Sequence, residues 1–177
     1  MTWTLEAIGV RLLLLAVLAC APGLPARATA GVTIQYSGTV ATPGRVGPVL
    51  RAAEAYARKQ KWQVTKTDRG IALHPAEWCE PIHLQFDGSV LAKDFVKTQF
   101  AGAAVHRDVV RLFRVLKPLM ATLEIGDEGE YWETGDPAKL EAHMAVVNTA
   151  IDRAKARQPN ARGPVRLPNG RIVDLEQ

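Results

Sequence analysis

Between Trp62 and Phe95 the chain runs through four short strand-like segments, residues 62–67, 71–74, 82–86 and 90–95, and their separators leave few ways to arrange them. Asp68-Arg69-Gly70 is a turn sequence and Asp87-Gly88 a strong hairpin signal, so the four segments predict an antiparallel meander. The separator at 75–81 is long for a hairpin and carries Trp78 and Cys79, so something other than turn geometry determines its contents.

Helical periods flank this meander. Residues 33–40 read as a strand with Ile34 and Tyr36 on one face. Thr42-Pro43 then opens a helix in which Val46, Val49, Leu50, Ala53, Tyr56 and Ala57 recur at helical spacing, opposite Arg51, Glu54, Arg58 and Lys59. Gly47 and Pro48 set its regular start near those positions. A second helix is expected over 104–117, with Val105, Val109, Leu112, Phe113 and Leu116 inward and Arg107, Arg111, Arg114 and Lys117 outward. Residues 122–125 read as a strand. Asp136-Pro137 supplies an N-cap and a first-turn proline for a third helix, whose buried stripe is Leu140, Met144, Val147 and Ile151 and which ends near Arg157. The sum is an α+β domain, a mainly antiparallel sheet with helices packed on one face, in the order βα-ββββ-αβα.

Beyond the third helix, Pro159, Gly163, Pro164, Pro168 and Gly170 break any period, which predicts a mobile tail over 158–177. At the other end, Arg11 precedes an apolar run, followed by Pro22, Pro25 and the small residues Ala28-Thr29-Ala30. That pattern reads as a secretory signal over 1–30, its apolar core far short of the roughly 20 residues of a membrane-spanning helix. Val17-Leu18-Ala19-Cys20 offers a second route, a lipoprotein signal to residue 19 with Cys20 lipidated, although Leu18 is uncommon in that pattern. Cleavage after Ala30 is favoured. The expected location is periplasmic or secreted, alternatively lipid-anchored, and cytosolic if the start is misplaced.

A domain over 31–157 retains one cysteine, Cys79, so no intramolecular disulfide is available and a hydrophobic core must hold it together. Its length suits one core and leaves no room for a second full domain. Removing residues 1–30 takes away Arg11, Arg27 and Glu6 and leaves 20 basic against 17 acidic residues, a net +3. That balance is too mild to argue for nucleic acid, and no aromatic interleaving of the basic residues suggests base stacking.

Three constellations carry chemical content. Residues 127–136 hold five carboxylates, Asp127, Glu128, Glu130, Glu133 and Asp136, beside Tyr131 and Trp132, a set able to bind a hard cation or to supply acid and base. The spacing is not that of an EF-hand, and a hairpin or strand-to-helix loop whose acids are solvated or face the basic stripe of the second helix is the favoured account. Lys97, Thr98 and Gln99 end a strand, with Gly102 before the helix carrying His106, an arrangement that can meet an anion or be a tight turn. His74, Cys79, His83 and His106 invite a zinc reading, but their spacing fits no standard finger or metalloprotease pattern.

The segments Lys97-Thr98-Gln99-Phe100-Ala101-Gly102, Asp127-Glu128-Gly129 and 131–136, with His106 between them, resemble a family of small uncharacterised bacterial proteins, over roughly residues 34–151. The resemblance implies a shared Cys79-Glu80-Pro81 loop and candidate positions. It implies no activity.

The leading expectation is a non-enzymatic binding or interaction domain of the cell envelope, with no cofactor and an unknown protein or envelope ligand as partner. Its contact residues are expected to be Lys97, Thr98, Gln99, Trp78, Asp127, Glu128, Tyr131 and Trp132. Membrane contact is expected only through a lipid at Cys20. The alternative is a small hydrolase or metal-assisted enzyme using His106 with Glu128 or Glu130. Convergence separates the two, since an enzyme needs His106, a carboxylate and Lys97 around one cleft, whereas an interaction module needs Trp78 and Trp132 on one exposed patch.

Overall fold

A computed structural model describes residues 31–176. The signal-like segment, its cleavage site and Cys20 lie outside the described residues. The expected elements appear in their order, with α3, β7 and β8 in addition: β1 (Thr33–Thr39), α1 (Val46–Lys59), β2 (Gln63–Thr67), β3 (Gly70–His74), β4 (Ile82–Asp87), β5 (Val90–Lys97), α2 (Gly102–Leu116), β6 (Thr122–Asp127), α3 (Tyr131–Thr134), α4 (Pro137–Arg157), β7 (Val165–Arg166) and β8 (Ile172–Val173). The first six strands form one sheet in the order β2-β3-β4-β5-β1-β6 with every pair antiparallel. The meander is therefore present, and β1 is inserted between its last strand and β6.

Strand alternation divides the sheet into two faces. Ile34, Tyr36, Ile71, Leu73, Ile82, Leu84, Leu91 and Val96 join one core with Val49, Ala53 and Ala57 of α1 and with Val109, Val110, Leu112, Phe113 and Leu116 of α2. The Tyr36 and Phe113 rings meet with centroids 4.9 Å apart. The opposite face carries Gln35, Ser37, Thr39, His83, Gln85 and Phe95, and no helix among the described residues packs on it, in keeping with its mainly polar composition. In β5, Ala92 and Lys93 stand opposite the single Ser37, because Tyr36 pairs with Asp94 and Gly38 with Leu91. This bulge re-aims the side chains around Lys93 and Asp94.

Helix starts follow local chemistry. The Asp136 carboxylate accepts hydrogen bonds from the Ala138 and Lys139 amides at 2.9 and 3.5 Å, with Pro137 in the first turn of α4. Thr42-Pro43 opens a 3-10 turn before α1 begins at Val46. The short helix α3 lies within the segment read as a loop, and Gly135, at φ +67°, ends it by donating to Tyr131 O at 2.9 Å.

The C-terminal segment departs from its expected character. Residues 162–176 form a hairpin in which Arg162 and Glu176 exchange amide hydrogen bonds of 2.8 and 2.7 Å, and Val165–Arg166 pairs with Ile172–Val173. Pro168 and Gly170, which break the period in sequence, sit in and beside its turn, where Gly170 adopts φ +85° and donates to Leu167 O at 2.9 Å. Among the described residues no helix is long and apolar enough to cross a membrane.

Candidate functional site

Where β5 ends, Lys97, Thr98 and Gln99 are all withdrawn from solvent, and each reaches a different part of the molecule. Gln99 accepts from Val32 N at 3.1 Å and donates to Met144 O and Asn148 Oδ1 at 3.0 and 2.8 Å, tying the N-terminal end of β1 to α4. The Lys97 ammonium donates to Ile172 O at 3.0 Å and to Asp174 Oδ1 at 2.9 Å. Three consecutive polar side chains thus satisfy buried partners in three directions. Of the two readings of this turn, anion site or tight turn, its side chains fit the second, an interior junction.

Thr98 turns to His106. Its Oγ1 lies 2.7 Å from His106 Nδ1, and His106 Nε2 lies 3.1 Å from Asp127 Oδ2. The Asp127 carboxylate also accepts from Gly129 N at 2.7 Å and Trp132 N at 2.8 Å. Burial alone would raise this carboxyl, but the hydrogen bond and charge of His106, together with the two amides, hold it below its ordinary value. Because Asp127 can only accept when ionised, Nε2 carries a proton, and Nδ1 is left to face the Thr98 hydroxyl. A hydroxyl, an imidazole and a carboxylate in line have the residue types of a nucleophilic triad. Thr98 and His106 are both 0 % exposed, and the Thr98 hydroxyl also lies 3.2 Å from Val32 O, so no reacting atom can approach it. The line acts as a polar brace between α2, β6 and the start of β1.

The acidic loop is divided among separate tasks. Glu128 accepts from Thr33 N at 2.9 Å. Glu130, at φ +54°, pairs with Lys139 and lies 3.5 Å from His143 Nε2; its hydrogen bond to Lys139 holds its carboxyl below the ordinary value. Neither glutamate is bonded to His106. Tyr131 and Trp132 meet the basic stripe of α2 through their carbonyls and rings: Arg114 donates to Tyr131 O and Trp132 O, and its guanidinium lies 5.7 and 5.8 Å from the two ring centroids. Lys117 Nζ sits 5.4 Å from the Trp132 ring. Trp78 is 39 % exposed and neighbours Arg166 of the C-terminal hairpin, so the two tryptophans belong to different surroundings.

The zinc candidates are also apart in role. His74 lies 3.3 Å from Thr65 Oγ1, and His83 Nδ1 lies 3.0 Å from Asp94. Cys79 is buried, and burial, followed by the Glu80 charge, pushes its thiol up to about 12. No group of three or more His, Cys, Asp or Glu residues able to hold a metal ion occurs among the described residues.

Sequence reasoning missed the second buried polar cluster. Glu80, 1 % exposed, accepts from Lys97 N at 3.0 Å, Ile172 N at 2.7 Å and Arg171 Nη1 at 3.1 Å. Arg171 also donates to Phe95 O at 2.6 Å and to Asp94, and its guanidinium lies 4.1 Å from the Phe95 ring centroid. Burial would raise Asp94, but hydrogen bonds from His83 and Arg171 hold it below its ordinary value. The sequence signal was an isolated acid in Cys79-Glu80-Pro81, between two residues that favour burial or a turn.

On the mainly polar face of the sheet, next to this cluster, Thr33, Gln35, Lys93, Asp94, Phe95 and Glu128 line a pocket of ≈ 370 Å³. Its size is that of a small-ligand or side-chain site, and Phe95, 40 % exposed, gives it an aromatic wall among charges of both signs. No protein-family model, curated protein or solved structure matches this chain.

Proposed function

We propose that the chain is an exported, non-enzymatic binding domain of the cell envelope, and that its contact surface is the mainly polar sheet face around Gln35, Lys93, Phe95 and Glu128. The observation that carries this reading is the pocket itself, an exposed aromatic ring flanked by one cation and two carboxylates on a rigid sheet. Thr98, His106 and Asp127, which have the residue types of a nucleophilic triad, brace the interior instead. Export rests on the sequence pattern of residues 1–30 alone. The resemblance to small uncharacterised bacterial proteins adds positions to this reading and no ligand.

The binding half is tested by amide NMR of the purified chain titrated with soluble peptidoglycan fragments and short unstructured peptides. Saturable shifts at Gln35, Lys93, Phe95 and Glu128, abolished by Phe95→Ala, are expected. Turnover of a probe, or saturable shifts confined to another surface, would overturn it. Export is tested by a phosphatase fused after Gln177 that is active only outside the cytosol. An inactive fusion in intact cells removes the envelope from the reading; with an active fusion, Cys20→Ala separates lipidation from plain cleavage.

A further inference from the structure

The C-terminal hairpin is held as a ligand is held. Its two strands form a sheet of their own, none of its backbone pairs with the six-stranded sheet, and none of its side chains belongs to the main core. Attachment runs through side chains of both parts: at the turn end Arg166 donates to Glu77 O and to Cys79 O at 3.3 Å, and further along side chains of the body reach the second strand. Glu80 Oε1 reads the Ile172 amide at 2.7 Å and Lys97 Nζ reads the Ile172 carbonyl at 3.0 Å. On one side of that residue, Arg171 is received by Glu80, Asp94, the Phe95 carbonyl and the Phe95 ring. On the other, Asp174 meets Lys97 at 2.9 Å. Main-chain hydrogen bonds supplemented by pockets for alternate side chains are how extended peptides are recognised. A planar guanidinium held by carboxylates and stacked on an aromatic ring is a selective contact that lysine does not reproduce.

The segment before the hairpin, Gln158-Pro159-Asn160-Ala161, is not part of a helix or strand. Lifting the hairpin about this connection would break no pairing of the main sheet and would return Glu80 and Lys97 to water, where neither is left as an unpaired buried charge.

We propose that Glu80, Asp94, Phe95 and Lys97 form a docking site for an extended protein segment with the pattern arginine, apolar residue, any residue, acid, and that Arg171 to Asp174 is its resident occupant, exchangeable with such a segment of a partner. The site shares Asp94 and Phe95 with the pocket above but does not depend on what fills that pocket. A tethered occupant competes at an effective concentration in the millimolar range, so a free segment binds the intact chain weakly and binds well once the resident one is loosened.

The test uses the full chain and a synthetic peptide of residues 162–176. The peptide is expected to bind the Arg171→Ala chain at least about ten-fold more tightly than the unsubstituted chain, with amide shifts at Glu80 and Lys97. The same peptide carrying Arg171→Ala is expected not to bind. A chain with a protease site inserted after Ala161, folded and then cut, gives a second measurement, in which the released hairpin exchanges with labelled peptide. If Arg171→Ala unfolds the chain, that exchange decides. Absence of peptide binding to a folded Arg171→Ala chain overturns the proposal, as does absence of exchange in the cut chain. A dimer that swaps hairpins and ignores the peptide overturns it too. Shifts confined to Gln35, Lys93 and Glu128 would support the pocket and overturn this site.

Discussion

His106 Nε2 and Asp127 Oδ2 lie 3.1 Å apart with both side chains fully withdrawn from solvent, so the pair links α2 to the end of β6 across the interior. Asp127 is also the acceptor for two loop amides, and through them the carboxylate fixes the turn into α3.

Removing that charge has a pH signature. The folded carboxyl of Asp127 titrates below its ordinary value of 3.8, so folding releases protons in acid. Its stabilisation is complete above that ordinary value and is lost as pH falls through the folded one. Asp127→Asn is expected to cost about 3 kcal/mol near pH 7, because a buried partner is stranded. Urea unfolding followed from pH 7 down to pH 2.5 should show a shallower acid slope in the variant, with Asp94, also depressed, supplying part of what remains. An unchanged slope would mean that the pair carries no net charge interaction.

Gly129 is required by contact. A Cβ there would stand 2.5 Å from Leu140 Cδ1 and 3.1 Å from Val32 Cγ1. Gly129→Ala is therefore expected to destabilise by about 1–3 kcal/mol through overpacking. Leu140→Ala opens that space, so the double variant should cost less than the sum of the two single ones, measured by urea unfolding. Strict additivity would place the strain elsewhere.

The elements were legible because each long segment keeps one period over its length, and Asp136-Pro137 and Asp87-Gly88 announce their own geometry. The site was legible only in pieces. Thr98, His106 and Asp127 stand out by residue type, but their meeting depends on β1 entering between β5 and β6, a pairing no local pattern encodes. Lys97 and Glu80 were unreadable as interior residues, since such side chains are almost never fully buried unless paired, and their partners in the C-terminal hairpin lie 75 to 92 residues away. Two-residue strands are too short to show a period, so Pro168 and Gly170 look like disorder when they belong to a hairpin turn.

Cys79 gives a readout of opening near the hairpin. Its thiol is pushed from 9.0 to about 12 by burial and then by Glu80, which lowers the thiolate fraction at pH 8 by about 10³ relative to an unperturbed thiol. In a Cys20→Ser chain, alkylation by iodoacetamide is expected to be about 10³-fold slower in native buffer than in denaturant. Labelling at comparable rates would show that the 75–81 loop does not shield the sulfur.

Gln99 and Asn148 should differ in consequence although they bond to each other. Gln99 is the acceptor for the buried Val32 amide and also donates to Met144 O. Gln99→Leu strands the amide, the costly kind of loss, and about 1–3 kcal/mol is expected. Asn148→Ala removes one acceptor at 2.8 Å, but the Gln99 amide group keeps its bond to Met144 O, so about 1 kcal/mol or less is expected. Hydrogen exchange locates the effect: Val32 and Thr33 amides should lose protection in Gln99→Leu and keep it in Asn148→Ala. Equal losses in both would mean that the start of β1 is held by α4 as a whole and that the single acceptor on Gln99 does not govern it.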